Sequence, residues 1–415
     1  MAQEGEDVRW VETWGTALPL YPPPPSPFGN ASPPPSEPAG DQANSPPPIN
    51  PRVPYPGVLE DQTVRMIARA SIAGDMVRLE FSNRQGAAPV TLGAVHVALA
   101  QADGSTVSGT DRSVTFGGRT GALLRAGTRL VSDPVSLSVP PLGHVAVSVY
   151  LPHRTATDTV DEIGLMPTLI GPGNQTESTQ IVSPARTASY FWLRGISVAR
   201  TDKQGGAIIA LGDSITEGYA TTPGAHQSWP EVLAERLQET PGMEGWSVIN
   251  TGISGNRVLR SGAGESALAR FTDDVLGRPG ARWVIVLEGI NDINMSIMSG
   301  MPESQATTAD EIIAGLDQLV TRAHLDGLKI AGGTILPTKG LPFYSAEGEA
   351  MRDEVNRWIR SSGRFDAIID FAAATRDPDD PQRLNPAFDP GDHVHPNDAG
   401  NRAMAEAIDL GIFGH

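Results

Sequence analysis

The stretch of sequence that decides the fold runs from residue 207 to residue 218 and reads Ala207-Ile208-Ile209-Ala210-Leu211-Gly212-Asp213-Ser214-Ile215-Thr216-Glu217-Gly218. It opens with an apolar run bounded by glycine, which is typical of a buried strand in a parallel sheet. The polar turn that follows presents Ser214 at the carboxyl end of that strand, where open parallel sheets bind ligands. Ser214 is therefore a candidate nucleophile, although an isolated Gly-Asp-Ser is also an ordinary turn sequence.

Strands and helices alternate from this stretch to the end of the chain. Apolar runs predict parallel strands at 207–212, 247–250, 283–287, 329–334 and 366–370. Helices are predicted from Ser228, from Thr308 with Glu311 as a capping box, from Ala346 and after Pro396. This alternation predicts an α/β domain with a doubly wound parallel sheet.

The first half of the chain has the period of two that is typical of antiparallel strands. Such runs occur at 8–17, 63–67, 76–81, 95–99, 135–139, 145–150, 190–193 and 196–198. With no helical stretch among them, they predict an all-β sandwich or jelly roll. We place this domain at 1–203 and the α/β domain at 204–415.

A proline-rich insertion at 19–56 interrupts the β domain. So many prolines are incompatible with helix or central sheet and predict polyproline II or irregular coil. Two interpretations stay open, a surface excursion and a stiff arm that borders the active site.

The composition of the chain argues against several classes of function. The chain has 415 residues, a formal net charge of -17 and no cysteine. The acidic balance argues against nucleic-acid and anionic-membrane partners, and no apolar run approaches the roughly 20 residues of a membrane helix. The first residues show no signal peptide, so we expect a cytoplasmic protein or a mature form without its leader. The oligomeric state stays open.

Four short segments in the second half contain residues that could take part in catalysis. Each segment lies just after a predicted strand or just before a predicted helix. They are Ser214, the glycine-rich turn 252–256, the turn 289–292 and the segment 392–396. Because the carboxyl ends of parallel strands share one edge of the sheet, we expect the first three to lie close together.

These places hold every part that acyl transfer by a serine requires. His395 supplies an imidazole that changes its charge near neutrality, and Asp392, three residues earlier, can orient it. Ser214 and Gly255 can each offer a backbone N–H to an oxyanion, and Asn291 a side-chain N–H. The residues thus predict a serine esterase.

Other polar and aromatic residues near these places have competing interpretations. His393 could serve as a base or metal ligand with His395, but no further ligand is evident, so we expect no metal and place His393 in a loop that borders the substrate. His226 is either a solvated side chain or, with Trp229, part of an acyl pocket.

The charged residues of the same turns are predicted to have supporting roles. Asp213 and Asp292 are interpreted as groups that brace the loops. Glu288 is expected to pack or pair near the site without a catalytic role. Arg257 and Arg260 are expected in surface or salt-bridge positions rather than as a site for an anionic substrate.

The ordered motifs Gly212-Asp213-Ser214, Gly255, Gly289-x-Asn291-Asp292 and Asp392-x-x-His395 resemble blocks I, II, III and V of the GDSL or SGNH hydrolases. The resemblance implies a flavodoxin-like three-layer α/β/α fold, no cofactor and ester hydrolysis through an acyl-enzyme. It implies Ser214 as nucleophile, His395 as base and Asp392 as orienting acid. It also implies Ser214, Gly255 and Asn291 as oxyanion donors.

The first half is similar to the β-sandwich that precedes the catalytic domain in a bacterial two-domain branch of this family. Its segments 62–65, 81–83 and 132–134 carry the similarity, which implies a periplasmic or secreted setting. We therefore expect a serine carboxylic-ester hydrolase that acts on short acyl groups, acetyl above all, on small or carbohydrate-borne esters. Lipid, thioester and polyester substrates, a non-catalytic carbohydrate-binding protein and a flavodoxin-like nucleotide binder are the alternatives.

Overall fold

The computed structural model describes residues 8–19, 55–297 and 306–414. Most of the proline-rich insertion and the first residues of the chain lie outside these ranges. Both interpretations of the insertion therefore stay predictions. No helix in the described ranges is long and apolar enough to cross a membrane.

The described part of the first half is built from strands. Their bounds are β1 (Arg9–Gly15), β2 (Val58–Leu59), β3 (Gln62–Arg69), β4 (Gly74–Ser82), β5 (Val90–Leu92), β6 (Ala94–Leu99), β7 (Arg112–Ser113), β8 (Ala122–Leu124), β9 (Arg129–Val131), β10 (Val135–Val139), β11 (His144–Leu151), β12 (Thr155–Ala156), β13 (Val160–Asp161), β14 (Thr168–Pro172), β15 (Ala185–Thr187), β16 (Tyr190–Phe191) and β17 (Leu193–Arg200).

Two antiparallel sheets contain most of these strands. One has the order β1-β17-β4-β10, with β9 also paired to β4, and the other has the order β15-β14-β3-β11-β6-β7. Strand β10 alternates buried Val135, Leu137 and Val139 with exposed Ser136 and Ser138, because successive side chains point to opposite faces of a sheet. The predicted antiparallel β architecture is confirmed.

The second half alternates strands and helices. Their bounds are β18 (Gly206–Gly212), α1 (Ser214–Glu217), α2 (Trp229–Glu239), β19 (Trp246–Gly252), α3 (Ala267–Phe271), β20 (Ala281–Leu287), α4 (Ile290–Ile297), α5 (Ala309–Leu325), β21 (Lys329–Gly333), α6 (Ala346–Ser361), β22 (Ala367–Ile369), α7 (Phe371–Thr375) and α8 (Asp398–Glu406). A π-helical turn at Thr272–Leu276 extends α3, and a 3-10 turn follows at Leu410–Phe413.

The second half forms one parallel sheet with the order β19-β18-β20-β21-β22. This is the doubly wound order 2-1-3-4-5 of flavodoxin-like folds, so the predicted fold class is confirmed. Strand β18 lies where the winding reverses, between β19 and β20, and all its residues are buried. The carboxyl ends of β18 and β20 therefore flank the crevice in which such folds bind ligands.

The predicted helices begin within two residues of their expected starts. Ser228 precedes α2 with a proline in its first turn, and the capping box of Thr308 and Glu311 starts α5. Ser345 and Asn397 cap α6 and α8 with their side chains. The short helices α1, α3 and α7 and the helix α4 were not predicted.

The two halves are joined by hydrogen bonds that involve the backbone. The Ser247 hydroxyl of β19 donates to the Glu12 carbonyl of β1 at 2.6 Å, and the Glu12 N–H donates to the Pro279 carbonyl at 2.9 Å. The Ser71 hydroxyl donates to the Val248 carbonyl at 3.0 Å. The change from antiparallel to parallel pairing falls between β17 and β18, and the domain boundary at 203/204 stays a prediction.

Candidate active site

Ser214 is the first residue of α1, directly after strand β18. Asp213 caps this helix by accepting a hydrogen bond from the Ile215 N–H at 2.9 Å. Gly218 ends it with a left-handed φ of 100°, a conformation that favours glycine. The strand, the cap and the glycine thus hold the Ser214 hydroxyl at the carboxyl edge of the sheet, where 8% of the residue is exposed.

Ser214, His395 and Asp392 form a continuous hydrogen-bonded series. The Ser214 Oγ lies 2.8 Å from His395 Nε2, and His395 Nδ1 lies 2.7 Å from Asp392 Oδ2. The other Asp392 oxygen accepts the backbone N–H groups of Val394 at 3.1 Å and His395 at 3.0 Å. These backbone contacts fix the carboxylate in the turn before α8.

The charge of Asp392 determines the tautomer of the histidine. Burial raises the pKa of Asp392, but the hydrogen bond and the positive charge of His395 lower it more, so its net pKa lies below the usual range. A carboxylate can only accept, so Nδ1 of His395 carries the proton. The Nε2 atom is then free to accept the proton of the Ser214 hydroxyl.

Two backbone N–H groups of the predicted site are not used by the part of the protein that the structure describes. Within the described ranges, the N–H groups of Ser214 and Gly255 donate to no protein acceptor. The first turn of a helix leaves its N–H groups unpaired, which accounts for Ser214. Gly255 has a left-handed φ of 78° in the turn after β19, where a side chain would be strained.

Asn291 lies in the first turn of α4, after β20. Its Nδ2 donates to the Asn256 carbonyl at 3.0 Å and lies 3.4 Å from Asp213 Oδ2. The side chain therefore connects the turn after β19 with the residue that precedes Ser214. The structure brings together the motifs that the sequence places after three different strands.

Arg270 of α3 links these turns by hydrogen bonds. It was not predicted as a residue of the site. Its guanidinium is buried and donates to the Gly212 carbonyl at 2.9 Å and to the Thr251 carbonyl at 2.5 Å. It also donates to Asn256 Oδ1 at 3.0 Å and to Asp274 Oδ2 at 3.2 Å. One cation thus joins the carboxyl ends of β18 and β19.

Three acidic side chains near the site are buried. Burial raises the pKa of Asp213 and of Asp292 to about 6. Asp292 accepts the N–H groups of Val258 at 2.8 Å and Leu259 at 3.2 Å, and so braces the turn after β19. Burial also raises the pKa of Glu288, which lies 3.5 Å from the Arg270 guanidinium.

His393 belongs to a second histidine–aspartate pair in the same loop. Its Nδ1 lies 2.6 Å from Asp389 Oδ2, and its N–H donates to Asp389 Oδ1 at 3.0 Å. The imidazole is 37% exposed, and the residue has a left-handed φ of 65°. In the described ranges, no group of three or more histidine and acidic residues is arranged to hold a metal ion.

The suggested acyl pocket of His226 and Trp229 requires a correction. Trp229 is fully buried and packs against Phe371 with ring centroids 5.4 Å apart, so it belongs to the core. His226 is held by Glu231, 2.6 Å from its Nδ1, and by His144 of β11, 2.9 Å from its Nε2. His226 is thus a contact to the first half rather than a solvated side chain.

Arg257 was expected at the surface or in a salt bridge, and the surface alternative is wrong. The residue is 6% exposed, and its guanidinium donates to the Ser261 carbonyl at 3.0 Å. Burial lowers the pKa of Arg257 more than the nearby carboxylate of Asp292 raises it, so the net pKa lies below the usual value. Arg260 is half-buried.

Tyr219 is the second residue near the site that was missed. Its ring centroid lies 4.5 Å from that of the His395 imidazole, with an angle of 36° between the planes. An aromatic residue immediately after the glycine that ends α1 was the only signal for it in the sequence.

Residues 210–403 match the model of the GDSL-like Lipase/Acylhydrolase family. The matched range contains all the residues of the hydrogen-bonded series and of the turns around it. The chain therefore carries a hydrolase domain, and that domain is a GDSL-like lipase/acylhydrolase domain preceded by antiparallel β sheets. Among the curated proteins, no sequence matches this chain.

Several solved structures resemble the second half of the chain. Axe2, an acetylxylan esterase from Geobacillus stearothermophilus, is 25% identical over 51% of this chain and 95% of its own, with a TM-score of 0.40. A GDSL-like lipase from Bacteroides thetaiotaomicron VPI-5482 is 20% identical over 50% and 87%, with a TM-score of 0.36. An alpha/beta hydrolase enzyme from the metagenome of Lake Arreo, Spain, is 22% identical over 51% and 96%, with a TM-score of 0.40.

Proposed function

We propose that this chain is a serine carboxylic-ester hydrolase that acts on short acyl esters, with acetyl groups on small or carbohydrate-borne alcohols as the leading substrates. The observation that carries the proposal is the series from Ser214 through His395 to Asp392, with contacts of 2.8 and 2.7 Å. Hydrogen bonds of this length between nucleophile, base and orienting acid support acyl transfer. The family match supports the same class of reaction.

In the proposed first step, the Ser214 oxygen attacks the ester carbonyl while its proton passes to His395 Nε2. The carbon–oxygen double bond becomes a single bond, and its electron pair moves to the carbonyl oxygen. Asp392, as a carboxylate, stabilises the imidazolium that forms. The electron pair of the oxyanion then re-forms the carbonyl, the bond from carbon to the alkoxy oxygen breaks, and the imidazolium gives its proton to that oxygen. The alcohol leaves, and the acyl group stays on Ser214 as an ester.

The negative oxygen of this intermediate needs preorganised donors. We assign that role to the N–H groups of Ser214 and Gly255 and to the side-chain amide of Asn291, whose 3.4 Å contact with Asp213 Oδ2 would give way to the oxyanion. Loss of one such donor typically slows turnover by roughly a hundredfold to a thousandfold. In the second half of the reaction, His395 takes a proton from water, the resulting hydroxide attacks the acyl-enzyme, and Ser214 leaves with the proton.

The proposal is tested with a series of p-nitrophenyl esters from acetyl to palmitoyl, run beside acetylated xylan. We expect the highest kcat/KM on acetyl and butyryl esters and release of acetate from the xylan. Activity that rises with chain length would replace the acetyl assignment with lipid or polyester substrates. No activity on any ester would overturn the enzyme assignment and favour a carbohydrate-binding protein.

A pair of serine variants connects the activity to the site. Ser214→Ala removes the nucleophile and should abolish turnover without changing the thermal unfolding temperature. Ser136→Ala, on an exposed position of β10, is the matched control and should keep full activity. Retained activity in a folded Ser214→Ala protein would reject Ser214 as the nucleophile.

A further inference from the structure

The loop between α1 and α2 carries an aromatic ring onto the imidazole of the proposed base. Tyr219 and His395 lie with ring centroids 4.5 Å apart at an interplanar angle of 36°, which is a tilted arrangement. The Tyr219 N–H donates to the Ser214 carbonyl at 3.0 Å. The turn that presents the Ser214 hydroxyl thus also fixes the backbone that carries the Tyr219 ring.

The same loop is anchored to the helix that follows His395. Thr222 donates from its backbone N–H at 2.7 Å and from its hydroxyl at 2.6 Å to the two carboxylate oxygens of Asp398. Asp398 is the first residue of α8, three positions after His395. The loop is therefore held against the start of α8, the helix that directly follows the segment of His395.

A third anchor comes from the first half of the chain. The Gly224 N–H donates to the Leu165 carbonyl at 2.8 Å, and Leu165 itself has a left-handed φ of 57°. The loop is therefore held at both sides, by α8 and by the segment between β13 and β14. An anchored loop keeps the ring in one place, because the backbone cannot carry it away from the imidazole.

We propose that Tyr219 is a positioning residue for His395 whose ring face restricts rotation of the imidazole and stabilises its protonated form while it holds the proton of Ser214. The face of an aromatic ring is electronegative and attracts a cation more than a neutral ring. The stabilisation is therefore larger when His395 holds the proton of Ser214 than before. This inference rests on the proposed serine esterase mechanism.

The ring face, and not the phenolic hydroxyl, carries this role, and two variants separate them. Tyr219→Phe keeps the ring and removes only the hydroxyl. Tyr219→Leu keeps an apolar side chain and removes the π face. We expect kcat within twofold of wild type for Tyr219→Phe and a loss of about tenfold in kcat, with little change in KM, for Tyr219→Leu.

The pH profile distinguishes stabilisation of the cation from a structural role. Without the ring face, the imidazole should bind its proton less tightly, so the acid limb of kcat/KM should move to lower pH in Tyr219→Leu and stay in place in Tyr219→Phe. The same comparison is made without turnover by following the His395 ring signals by NMR in the Ser214→Ala background. Those signals should titrate at lower pH only in the leucine variant.

The outcomes separate this inference from the mechanism on which it rests. If Ser214→Ala keeps activity, the esterase mechanism fails, while the NMR titration still reports on the contact between the two rings. Wild-type kcat and an unshifted titration in Tyr219→Leu would overturn the role of Tyr219. Equal losses in both variants would also overturn it, because the hydroxyl would then be the functional group. Should Tyr219→Leu fail to fold, Tyr219→Met makes the same comparison.

Discussion

His144 of β11 and His226 of the loop before α2 face each other with their Nε2 atoms 2.9 Å apart, and this contact joins the two halves of the chain. One of the two nitrogens must donate and the other must accept, so the rings cannot both be protonated. Glu231 holds the far side of His226, 2.6 Å from its Nδ1. Burial, together with the nearby charges of His226 and Arg69, lowers the pKa of His144 to about 4.

We predict that the contribution of His144 to the free energy of unfolding falls as the pH falls from about 6.5 to about 4. In that window the unfolded His144 binds a proton and the folded one does not, so acidification favours the unfolded state. Because the site is only half-buried, solvent screening reduces the effect to on the order of 1 kcal/mol. Urea unfolding at pH 7, 6 and 5 measures it.

His144→Gln keeps a side-chain acceptor for His226 and removes the titrating ring. Its free energy of unfolding should fall less with pH than that of wild type. His153→Gln, at an exposed position of the same half, is the matched control and should behave like wild type. An equal fall in wild type and His144→Gln would contradict the prediction.

The two histidine–aspartate pairs of the last loop offer a matched test of the mechanism. Asp392 Oδ2 lies 2.7 Å from Nδ1 of His395, and Asp389 Oδ2 lies 2.6 Å from Nδ1 of His393. Asp392→Asn should lower kcat by about 10⁴-fold, because the amide favours the wrong tautomer of His395. Asp389→Asn should change kcat by less than about tenfold. Similar losses in the two variants would mean that His393, or the loop as a whole, participates.

Asp213 is predicted to destabilise the protein at alkaline pH while it caps the helix of the nucleophile. Burial raises its pKa to about 6, so the folded state holds a proton that the unfolded state releases above about pH 4. The stability that this proton contributes is complete below pH 4 and is lost as the pH rises through about 6. Asp213→Asn keeps an acceptor for the Ile215 N–H and carries no charge.

The asparagine variant should therefore be more stable than wild type by about 2 kcal/mol at pH 8, and the difference should shrink to less than about 1 kcal/mol near pH 4. Chemical denaturation at the two pH values gives both differences. A variant that is less stable than wild type at pH 8 would show that the capping contact needs the charge.

Regular strands and capped helices were predictable because their signals are local. Strand β18 is an apolar run between glycines, β10 alternates serine with valine and leucine, and α5 carries its own capping box at Thr308. The helices α1 and α4 were missed because α1 has only 4 residues and α4 is rich in asparagine and serine. Helix α1 is too short to show an apolar period. Helix α4 has Ile290, Ile293 and Ile297 at helical spacing, but its asparagine and serine residues favour turns and caps over helix interiors.

The candidate site was predictable where each motif follows its own strand, since parallel topology then brings the motifs to one edge. Arg270 and Tyr219 were missed because their contacts join positions far apart in sequence, with 58 residues between Arg270 and Gly212. The burial of a side chain was also hard to predict, because it depends on elements that are distant in sequence. An acyl pocket was one of two interpretations for Trp229, and a surface position was one of two for Arg257, but both residues are buried.

The buried ion pair between the halves leads to the last prediction. Arg278, just before β20, lies with its Nη1 3.0 Å from Glu12 Oε1 of β1, and the side chains are 0% and 1% exposed. Its Nη2 also donates to the Thr16 carbonyl at 2.7 Å. Removal of one member of such a pair leaves a charge in a site that water does not reach, which typically costs about 3 to 5 kcal/mol.

We expect Arg278→Met to lose about that much stability and to lower the unfolding midpoints of both halves together. Urea titration followed by tryptophan fluorescence and by far-UV circular dichroism should show coincident transitions. Arg282→Met, at an exposed position, is the control and should change little. If the cause is the uncompensated Glu12 carboxylate, the double variant Glu12→Leu, Arg278→Met should recover much of the loss, because it removes that carboxylate as well. No recovery would assign the effect to packing, and separate transitions would show that the two halves unfold independently of this pair.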